Sequence, residues 1–243
     1  FASADAHGDC GGFTKLLARA CEKRGACVRY STQVDSLRTA TSEAGVTRVV
    51  SALLSDGQEV EGDLFVIAMG SQSPRLLRPL GVDLPIYPVK GYSYEIDGGI
   101  SHGLKSPVVF AEHQLGAIPL GDRLRFSSVA EFAGWDEWSV TARVASRFRK
   151  DLEGLFPNVA GEGVLEGAKL IVGGRPTTPD DLPIVSGTRL PNLMVNAGHC
   201  MRGWRSACGS AAVLAALATG SPVPNDVDTE MLSLSRFRAI WRG

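Results

Sequence analysis

The residues best suited to chemistry lie in the last third of the chain, around an arginine and a Gly-rich bend. Arg175 lies in the sequence GGRPTTPDDLPIV, residues 173–185, where glycine and proline predict a tight turn. A guanidinium is the side chain best shaped to bind a carboxylate through two parallel hydrogen bonds. Arg175 is therefore a candidate carboxylate ligand, although an arginine in a surface loop would give the same pattern.

The bend that follows the next apolar strand is the second candidate, with the sequence NAGHCMRGW at residues 196–204. Gly198 allows a bend with positive φ, and Gly203 is expected to begin a helix rich in small residues. N–H groups at such a helix start would stabilise negative charge on an electron-rich ring. Close packing of the helix on the strand, with no ligand, is the alternative. His199 is expected to be a hydrogen-bonded structural residue rather than a proton carrier.

Two residues near the start of a predicted strand complete the candidates. Within the sequence YPVKGYS, Tyr92 is a candidate for facing a pocket and Lys90 for holding a water molecule beside a cofactor. A packed tyrosine and a solvated lysine are the alternatives. No spacing typical of a Ser-His-Asp triad, a zinc site or a P-loop is present in the sequence, so no metal site is expected.

The composition is that of an ordinary globular protein. Of the 243 residues, 44% are hydrophobic and 21% are charged, and the net charge of −1 gives no reason to expect nucleic acid as a partner. The five cysteines show no CxxC spacing, so we expect reduced thiols, mostly in the core, and a cytoplasmic or mitochondrial location. No apolar run is long enough to cross a bilayer.

The hydrophobic pattern of residues 1–82 predicts part of a nucleotide-binding α/β lobe. Residues 9–24 predict a helix with Asp9 as its N-cap, and a β-meander with a hairpin turn at Asp56-Gly57 follows. Residues 64–69 are nearly all apolar, as in a parallel strand that is buried on both faces. The first strand, turn and helix of such a lobe are missing from this pattern.

The pattern changes over residues 83–184, where short alternating segments separated by proline and glycine predict an antiparallel, β-rich lobe. Gly121-Asp122 is expected to form one of its hairpin turns. One long helix is predicted over residues 135–156, ended by Pro157. Residues 185–243 then return to the strand, bend and helix of the first lobe.

Five segments of the sequence stand out together: GDCGGFTKLLA, DLFVIAMGSQS, YPVKGYS, GGRPTTPDDLPIV and NLMVNAGHCMRGWRSACGS. They occur in the order found in FAD-dependent D-amino-acid dehydrogenases, and the chain resembles that family, which also includes glycine, sarcosine and D-amino-acid oxidases. The resemblance extends from about Gly8 to about Pro222. It implies a partial Rossmann-like, FAD-binding lobe and a β-rich substrate lobe.

The resemblance also implies roles for individual residues. Arg175 would bind the carboxylate of a small amino-acid substrate, and Tyr92 is the other candidate catalytic residue. The residues implied to lie along FAD are Met69, Gly70, Ser71, Lys90, Gly174, Gly198, His199, Gly203 and Trp204. The implied reaction moves the α-hydrogen of a D-amino acid as hydride to the flavin N5 and yields a 2-oxo acid and ammonia.

The sequence departs from the family in two respects. Cys200, Met201 and Arg202 stand where similar enzymes carry small or uncharged residues, and they would crowd the flavin edge unless they point away. The GxGxxG fingerprint that binds the FAD pyrophosphate does not occur in the sequence, so the resemblance is to the C-terminal portion of the family only.

Three functional hypotheses stay open at this point. The first is FAD-dependent oxidative deamination of D-amino acids, completed by an N-terminal FAD-binding half outside this chain. The second is a non-catalytic, degenerate subunit of a larger, mitochondrial complex, and the third is an oxidase of sarcosine, proline or glycine. The missing fingerprint leads us to expect a partner chain, while the electron acceptor and contact with a membrane surface stay open.

Overall fold

A computed structural model describes residues 6–97, 103–135, 138–160, 164–224 and 226–237 of the chain. The helices are α1 (Cys10–Glu22), α2 (Ser73–Leu77), α3 (Ala142–Leu155), α4 (Pro157–Ala160), α5 (Val164–Gly167) and α6 (Gly203–Thr219). The strands are β1 (Val34–Thr41), β2 (Thr47–Leu54), β3 (Glu59–Glu61), β4 (Phe65–Ile67), β5 (Tyr87–Asp97), β6 (Val108–Phe110), β7 (Leu115–Leu120), β8 (Arg123–Glu131), β9 (Lys169–Thr177), β10 (Ile184–Gly187) and β11 (Leu193–Ala197).

The chain divides into two compact units. Unit 1 consists of Phe1–Val28 and Val89–Gly174, and unit 2 consists of Arg29–Pro88 and Arg175–Gly243. The chain thus leaves unit 2 after residue 88 and returns at residue 175, whereas the sequence led us to expect these changes after residues 82 and 184. Helix α1 belongs to unit 1 and not to the nucleotide-binding lobe.

Unit 1 is built on a five-stranded sheet in the order β6-β7-β8-β5-β9. Strands β7 and β8 pair antiparallel and are joined by a turn in which Gly121 has a φ of +64°, as the sequence predicts. Helix α3 covers one face of the sheet, with Phe148 and Leu152 buried in the same cluster as Phe126. The β-rich lobe therefore has its own apolar core.

The helices of unit 1 start and stop for local reasons. The Asp9 carboxylate accepts hydrogen bonds from the N–H groups of Gly11 and Gly12, so the predicted N-cap of α1 is confirmed. Helix α3 begins at Ala142 rather than at residue 135, and residues 136 and 137 lie outside the described part of the chain. It ends at Leu155 because Phe156, which precedes a proline, leaves the helical region with φ −133° and ψ 61°.

Unit 2 contains two three-stranded sheets, β1-β2-β3 and β10-β11-β4. The first is an antiparallel meander whose predicted turn is confirmed, with Gly57 at φ +83°. In the second sheet β11 pairs parallel to β4 and antiparallel to β10. Short helical segments after β4 end at Gly81, which has φ +68°. An α/β fold with a Rossmann-like lobe and a β-rich lobe is thereby confirmed.

Strand β4 corrects one expectation. Its parallel pairing is as predicted, but burial on both faces is wrong, because Val66 is 42% exposed and Leu64 and Met69 are exposed to a similar degree. Within the described residues β4 is the edge strand of its sheet. One face and one edge of this strand are therefore open.

The cysteines correct another expectation. All five are free thiols, as predicted, but most of them are not core residues. Cys200 is buried, whereas Cys10, Cys21, Cys27 and Cys208 are exposed. Among the described helices, none combines the length and the apolar character needed to cross a membrane.

Candidate functional site

Three segments of unit 2 meet at Pro176, the residue after Arg175. The Cys200 N–H donates a hydrogen bond of 3.0 Å to the Pro176 carbonyl. Gly70 also lies against Pro176, since a Cβ atom built on that glycine would stand 3.8 Å from the proline ring. The end of β9, the turn after β4 and the bend after β11 are thus brought together.

The turn and the bend leave the sheet at the same edge. Strands β4 and β11 are adjacent and parallel, with Ile67 opposite Val195, so both chains emerge from their carboxyl ends side by side. In α/β sheets this edge is where ligands bind. The geometry therefore places two predicted ligand-binding segments where a ligand is expected.

Arg175 lies inside strand β9 and not in the predicted tight turn. Its backbone is extended, and its side chain is half-buried. Burial lowers the pKa of the Arg175 guanidinium from its ordinary value, although an arginine stays charged at any physiological pH. A partly desolvated cation attracts a carboxylate more strongly than a fully solvated one. Gly174, the residue before it, is also half-buried in β9 but belongs to unit 1.

The bend after β11 has the predicted form. Gly198 has a φ of +79°, and helix α6 begins at Gly203, with Arg202 as its N-cap residue. A Cβ atom on Gly198 would lie 2.7 Å from Cγ2 of Thr178, so no other residue fits there without movement. Trp204, in the first turn of α6, is exposed. The helix start and its dipole are therefore open to a ligand.

His199 has the structural role that was expected of it. Its Nε2 lies 3.0 Å from the hydroxyl oxygen of Ser210, on α6. Burial lowers the pKa of His199 below its ordinary value of 6.5, so the imidazole is neutral at pH 7. The ring therefore ties the bend to the helix that follows it.

The three unusual residues of the bend point in different directions. Cys200 is buried, and its thiol accepts a hydrogen bond from the Thr178 N–H at 3.4 Å. Met201 is exposed, and Arg202 forms an ion pair with Asp181 at 2.5 Å. Two of the three are therefore engaged with the loop after β9.

The turn after β4 contains the other predicted cofactor ligands of unit 2. Gly70 has a φ of +56° and is half-buried, while Met69 is exposed and Ser71 is buried. Glycine is the residue that takes this backbone conformation without strain. The turn therefore offers backbone, and one exposed apolar side chain, at the edge of the sheet.

Lys90 and Tyr92 lie in unit 1, in the interior of the β-rich lobe. Lys90 is 2% exposed, and its ammonium lies 3.3 Å from the Glu131 carboxylate and 2.8 Å from the Ser139 carbonyl. The fully buried Tyr92 donates a hydrogen bond of 2.7 Å to the same carboxylate. Thr141 also donates to Glu131, at 3.0 Å. These two candidates are therefore part of a buried polar cluster that stabilises unit 1.

Asn196 is a site residue that the sequence did not single out. It lies in β11 opposite Val185, two residues before Gly198, and its amide oxygen is buried without a hydrogen-bond partner among the described residues. Buried acceptors are normally satisfied by protein or by ordered water, so this oxygen is a candidate contact for a water molecule or a ligand. Its position directly before an Ala-Gly bend was the signal available in the sequence.

The chain belongs to a family of flavoenzymes. A profile described as FAD dependent oxidoreductase, the DAO family, matches residues 1–217.

Relatives with a more specific name are found in bacteria. The D-amino acid dehydrogenase of Methylobacterium radiotolerans is 38% identical over 236 residues, which is 97% of this chain and 54% of the relative. That of Xanthobacter autotrophicus is 40% identical over 234 residues, 96% of this chain and 53% of the relative. The chain thus spans about half the length of these relatives, and their source gives no support to a mitochondrial location.

Solved structures show the same fold. Glycine oxidase from Geobacillus kaustophilus has a TM-score of 0.73 at 25% identity, over 91% of this chain and 56% of its own. L-Proline dehydrogenase from P. horikoshii has a TM-score of 0.75 at 14% identity, over 93% of this chain and 59% of its own.

FAD is the cofactor of this family, and unit 2 contains an atom suited to binding it. The unpartnered oxygen of Asn196 can accept a hydrogen bond from a cofactor N–H or hydroxyl group. Gly70 and Gly198 give the turn and the bend their positive φ at the carboxyl edge of the sheet, and their missing Cβ atoms leave room for Pro176 and Thr178. For the pyrophosphate, in contrast, the sequence has no GxGxxG turn.

Proposed function

We propose that this chain supplies the substrate-binding part and the flavin-facing part of an FAD-dependent D-amino-acid dehydrogenase. The observation that carries the proposal is the meeting of Arg175, the Gly70 turn and the Gly198 bend around Pro176. Relatives named D-amino acid dehydrogenase, about 40% identical over nearly the whole chain, support this substrate class. The FAD pyrophosphate would be bound by an N-terminal half, which the longer relatives have room for.

Arg175 is the residue to which we assign the substrate carboxylate. Its planar guanidinium can donate two parallel hydrogen bonds, which fix the orientation of an amino acid as well as its affinity. Its position on a strand rather than a flexible loop holds that orientation constant. The neighbouring Cys200–Pro176 hydrogen bond fixes the bend relative to this strand.

The start of α6 is assigned to the flavin ring. When bound, FAD supplies the hydride acceptor for the substrate Cα. The N-terminal dipole of α6 would stabilise negative charge at that place, and Asn196 would bind a polar group of the cofactor. His199, bonded to Ser210 and neutral at pH 7, would hold the bend and is not assigned a proton transfer.

Replacement of Arg175 tests the proposal. In the FAD-loaded dehydrogenase, Arg175→Ala should raise KM for D-alanine by about 100-fold, because a charge-assisted bidentate contact is lost. Arg175→Lys keeps the charge but not the two parallel donors of a guanidinium, so its KM should lie between those of the wild type and Arg175→Ala. Steady-state kinetics with D-alanine, and with sarcosine as the competing substrate class, provide the measurement. An unchanged KM in Arg175→Ala, or faster turnover of sarcosine than of D-alanine, would refute the assignment.

A further inference from the structure

Two strained residues face each other beside the proposed site. Among the described residues, the non-glycine residues with positive φ are Ser31, Gln114, Asp181 and Cys200. Asp181, at φ +60°, lies in the β9–β10 loop (residues 178–183), and Cys200, at φ +52°, lies in the α6 bend (residues 198–202). Strained backbone of this kind persists where surrounding contacts impose it, and it is concentrated at functional sites.

The contacts that impose the positive φ of Asp181 and Cys200 join the β9–β10 loop to the α6 bend. The Arg202 guanidinium lies 2.5 Å from the Asp181 carboxylate and donates a second hydrogen bond, of 3.2 Å, to the Asp181 carbonyl. On the inner side, the Thr178 N–H donates to the Cys200 thiol. The bend is therefore held to the loop at two points, with the exposed Met201 between them.

The loop is itself fixed from a third direction. Asp180 forms an ion pair of 2.7 Å with Arg236, whose guanidinium also donates to the Leu182 carbonyl. The Thr178 hydroxyl donates to the same carbonyl at 2.8 Å. The loop that carries Asp181 is therefore held in place by contacts that do not involve the α6 bend.

Arg202 transmits this restraint to helix α6. It is the N-cap residue of that helix, and its carbonyl accepts hydrogen bonds from the N–H and the hydroxyl of Ser206. The loop, in turn, follows directly from the strand that carries Arg175. An ion pair with both side chains nearly half exposed adds little to folding stability, so its main effect is geometric.

We infer that Asp181 and Arg202 are positioning residues, whose ion pair, together with the Cys200–Pro176 hydrogen bond, sets the distance between Arg175 and the start of α6. This inference rests on the proposed function, in which the first group binds the substrate carboxylate and the second faces the flavin. Loss of the pair lets the α6 bend move away from the β9–β10 loop. Substrate orientation and the stabilisation of the reduced flavin then weaken together.

Hydrogen exchange tests the restraint itself, with or without flavin. Asp181→Asn keeps a side chain that tolerates positive φ and removes the charge, so amides of residues 199–206 should exchange at least fivefold faster than in the wild type. Glu153→Gln is the matched control, because it removes an equally exposed ion pair from α3. Equal exchange in the Asp181→Asn and wild-type proteins would overturn the inference.

Kinetics and potentiometry test the consequence in the FAD-loaded dehydrogenase. Asp181→Asn should raise KM for D-alanine by about threefold and disfavour two-electron flavin reduction by about threefold, equivalent to a midpoint lower by about 15 mV. The double exchange Asp181→Arg with Arg202→Asp restores an ion pair, so it should recover part of the loss in KM and part of the shift in midpoint potential. A lower melting temperature with unchanged KM and midpoint would show a merely structural pair and overturn the inference. Failure of the proposed function would be recognised separately, because KM would then be unchanged in Arg175→Ala or the wild type would not prefer D-alanine to sarcosine.

Discussion

Lys90 and Glu131 illustrate at the residue scale how a functional candidate can have a structural role. They stand opposite each other in the register of β5 and β8, and the Lys90 side chain is almost completely buried. Burial opposes the charge of Lys90, but hydrogen bonds with Tyr92 and Glu131 outweigh it and raise its pKa. The hydrogen bond from Tyr92 is the main cause that lowers the pKa of Glu131. The pair is therefore charged at neutral pH.

This pair predicts the acid dependence of stability. Because the pKa of folded Glu131 lies below its ordinary value of 4.5, its contribution is present above pH 4.5 and is lost as the pH falls through the folded pKa. Glu131→Gln should cost about 3 kcal/mol at pH 7, since it leaves a buried ammonium without its counter-charge. The difference from wild type should shrink as the pH falls below 4.5 and through the folded pKa. Urea unfolding at several pH values measures both effects.

The control for this prediction is Glu153→Gln on helix α3. That carboxylate pairs with Arg149 at the surface, so its removal should change stability little at any pH. A Glu131→Gln protein as stable as this control at pH 7 would contradict the assigned role.

At the scale of residues, the sequence identified several candidate residues correctly by type but did not predict which elements and partners surround them. Arg175, Gly198 and Gly203 were identified because guanidinium and glycine have properties that hold in any context. The glycine-proline composition around Arg175 predicted a turn, but pairing within the five-stranded sheet overrides that local preference. The partners of Lys90 were beyond prediction, because both are distant in sequence: strand register brings Glu131 opposite Lys90, and the packing of α3 brings its N-cap residue, Thr141, beside Glu131.

At the scale of elements, the bend between β11 and α6 depends on one glycine. Gly198 combines a φ of +79° with a backbone so close to Thr178 that an added Cβ would overlap the threonine methyl group. We expect Gly198→Ala to destabilise the protein by about 2 kcal/mol through backbone strain alone, and by more through the overlap. Thermal unfolding of the flavin-loaded protein provides the measurement.

Two further variants support this test: one separates the steric overlap from the backbone strain, and the other is a control. Thr178→Ser, which removes the methyl group, should recover only the overlap part of the loss in a Gly198→Ala background. Gly209→Ala, within α6 and with nothing near its Cβ position, should stabilise the helix by about 0.5–1 kcal/mol. Equal melting temperatures for Gly198→Ala and wild type would show that the bend has more freedom than the structure indicates.

The elements themselves were largely predictable. The Asp9 cap, the turns at Gly57 and Gly121 and the start of α6 follow from local chemistry, and each is found where the sequence placed it. The exposed face of β4 was not predictable, because an apolar run shows only that a strand is suited to burial and does not show what covers it.

At the scale of the whole molecule, helix α1 carries one of the exposed apolar surfaces. Phe13, Leu16 and Leu17 share one face of the helix and are 41%, 65% and 50% exposed. Together with the open edge of β4, this surface is of the kind that drives association.

A polypeptide of these 243 residues is accordingly expected to self-associate in solution. Replacing Leu16 and Leu17 by lysine should lower the weight-average mass in concentration-dependent light scattering, because the apolar face gains two charges. Val46→Lys, in an exposed turn, is the matched control and should leave the mass unchanged. A monomeric wild type at all concentrations would contradict this expectation.

The most direct test of the central claim is the anaerobic visible absorption spectrum of the protein, purified from its source without a tag or refolding, before and after addition of D-alanine. If unit 2 holds the ring end of FAD and Arg175 orients a D-amino acid, the spectrum shows oxidised flavin bands that D-alanine bleaches and L-alanine does not. A colourless protein, or flavin bands that D-alanine leaves unchanged, would contradict the claim, and a colourless one would favour a non-catalytic subunit.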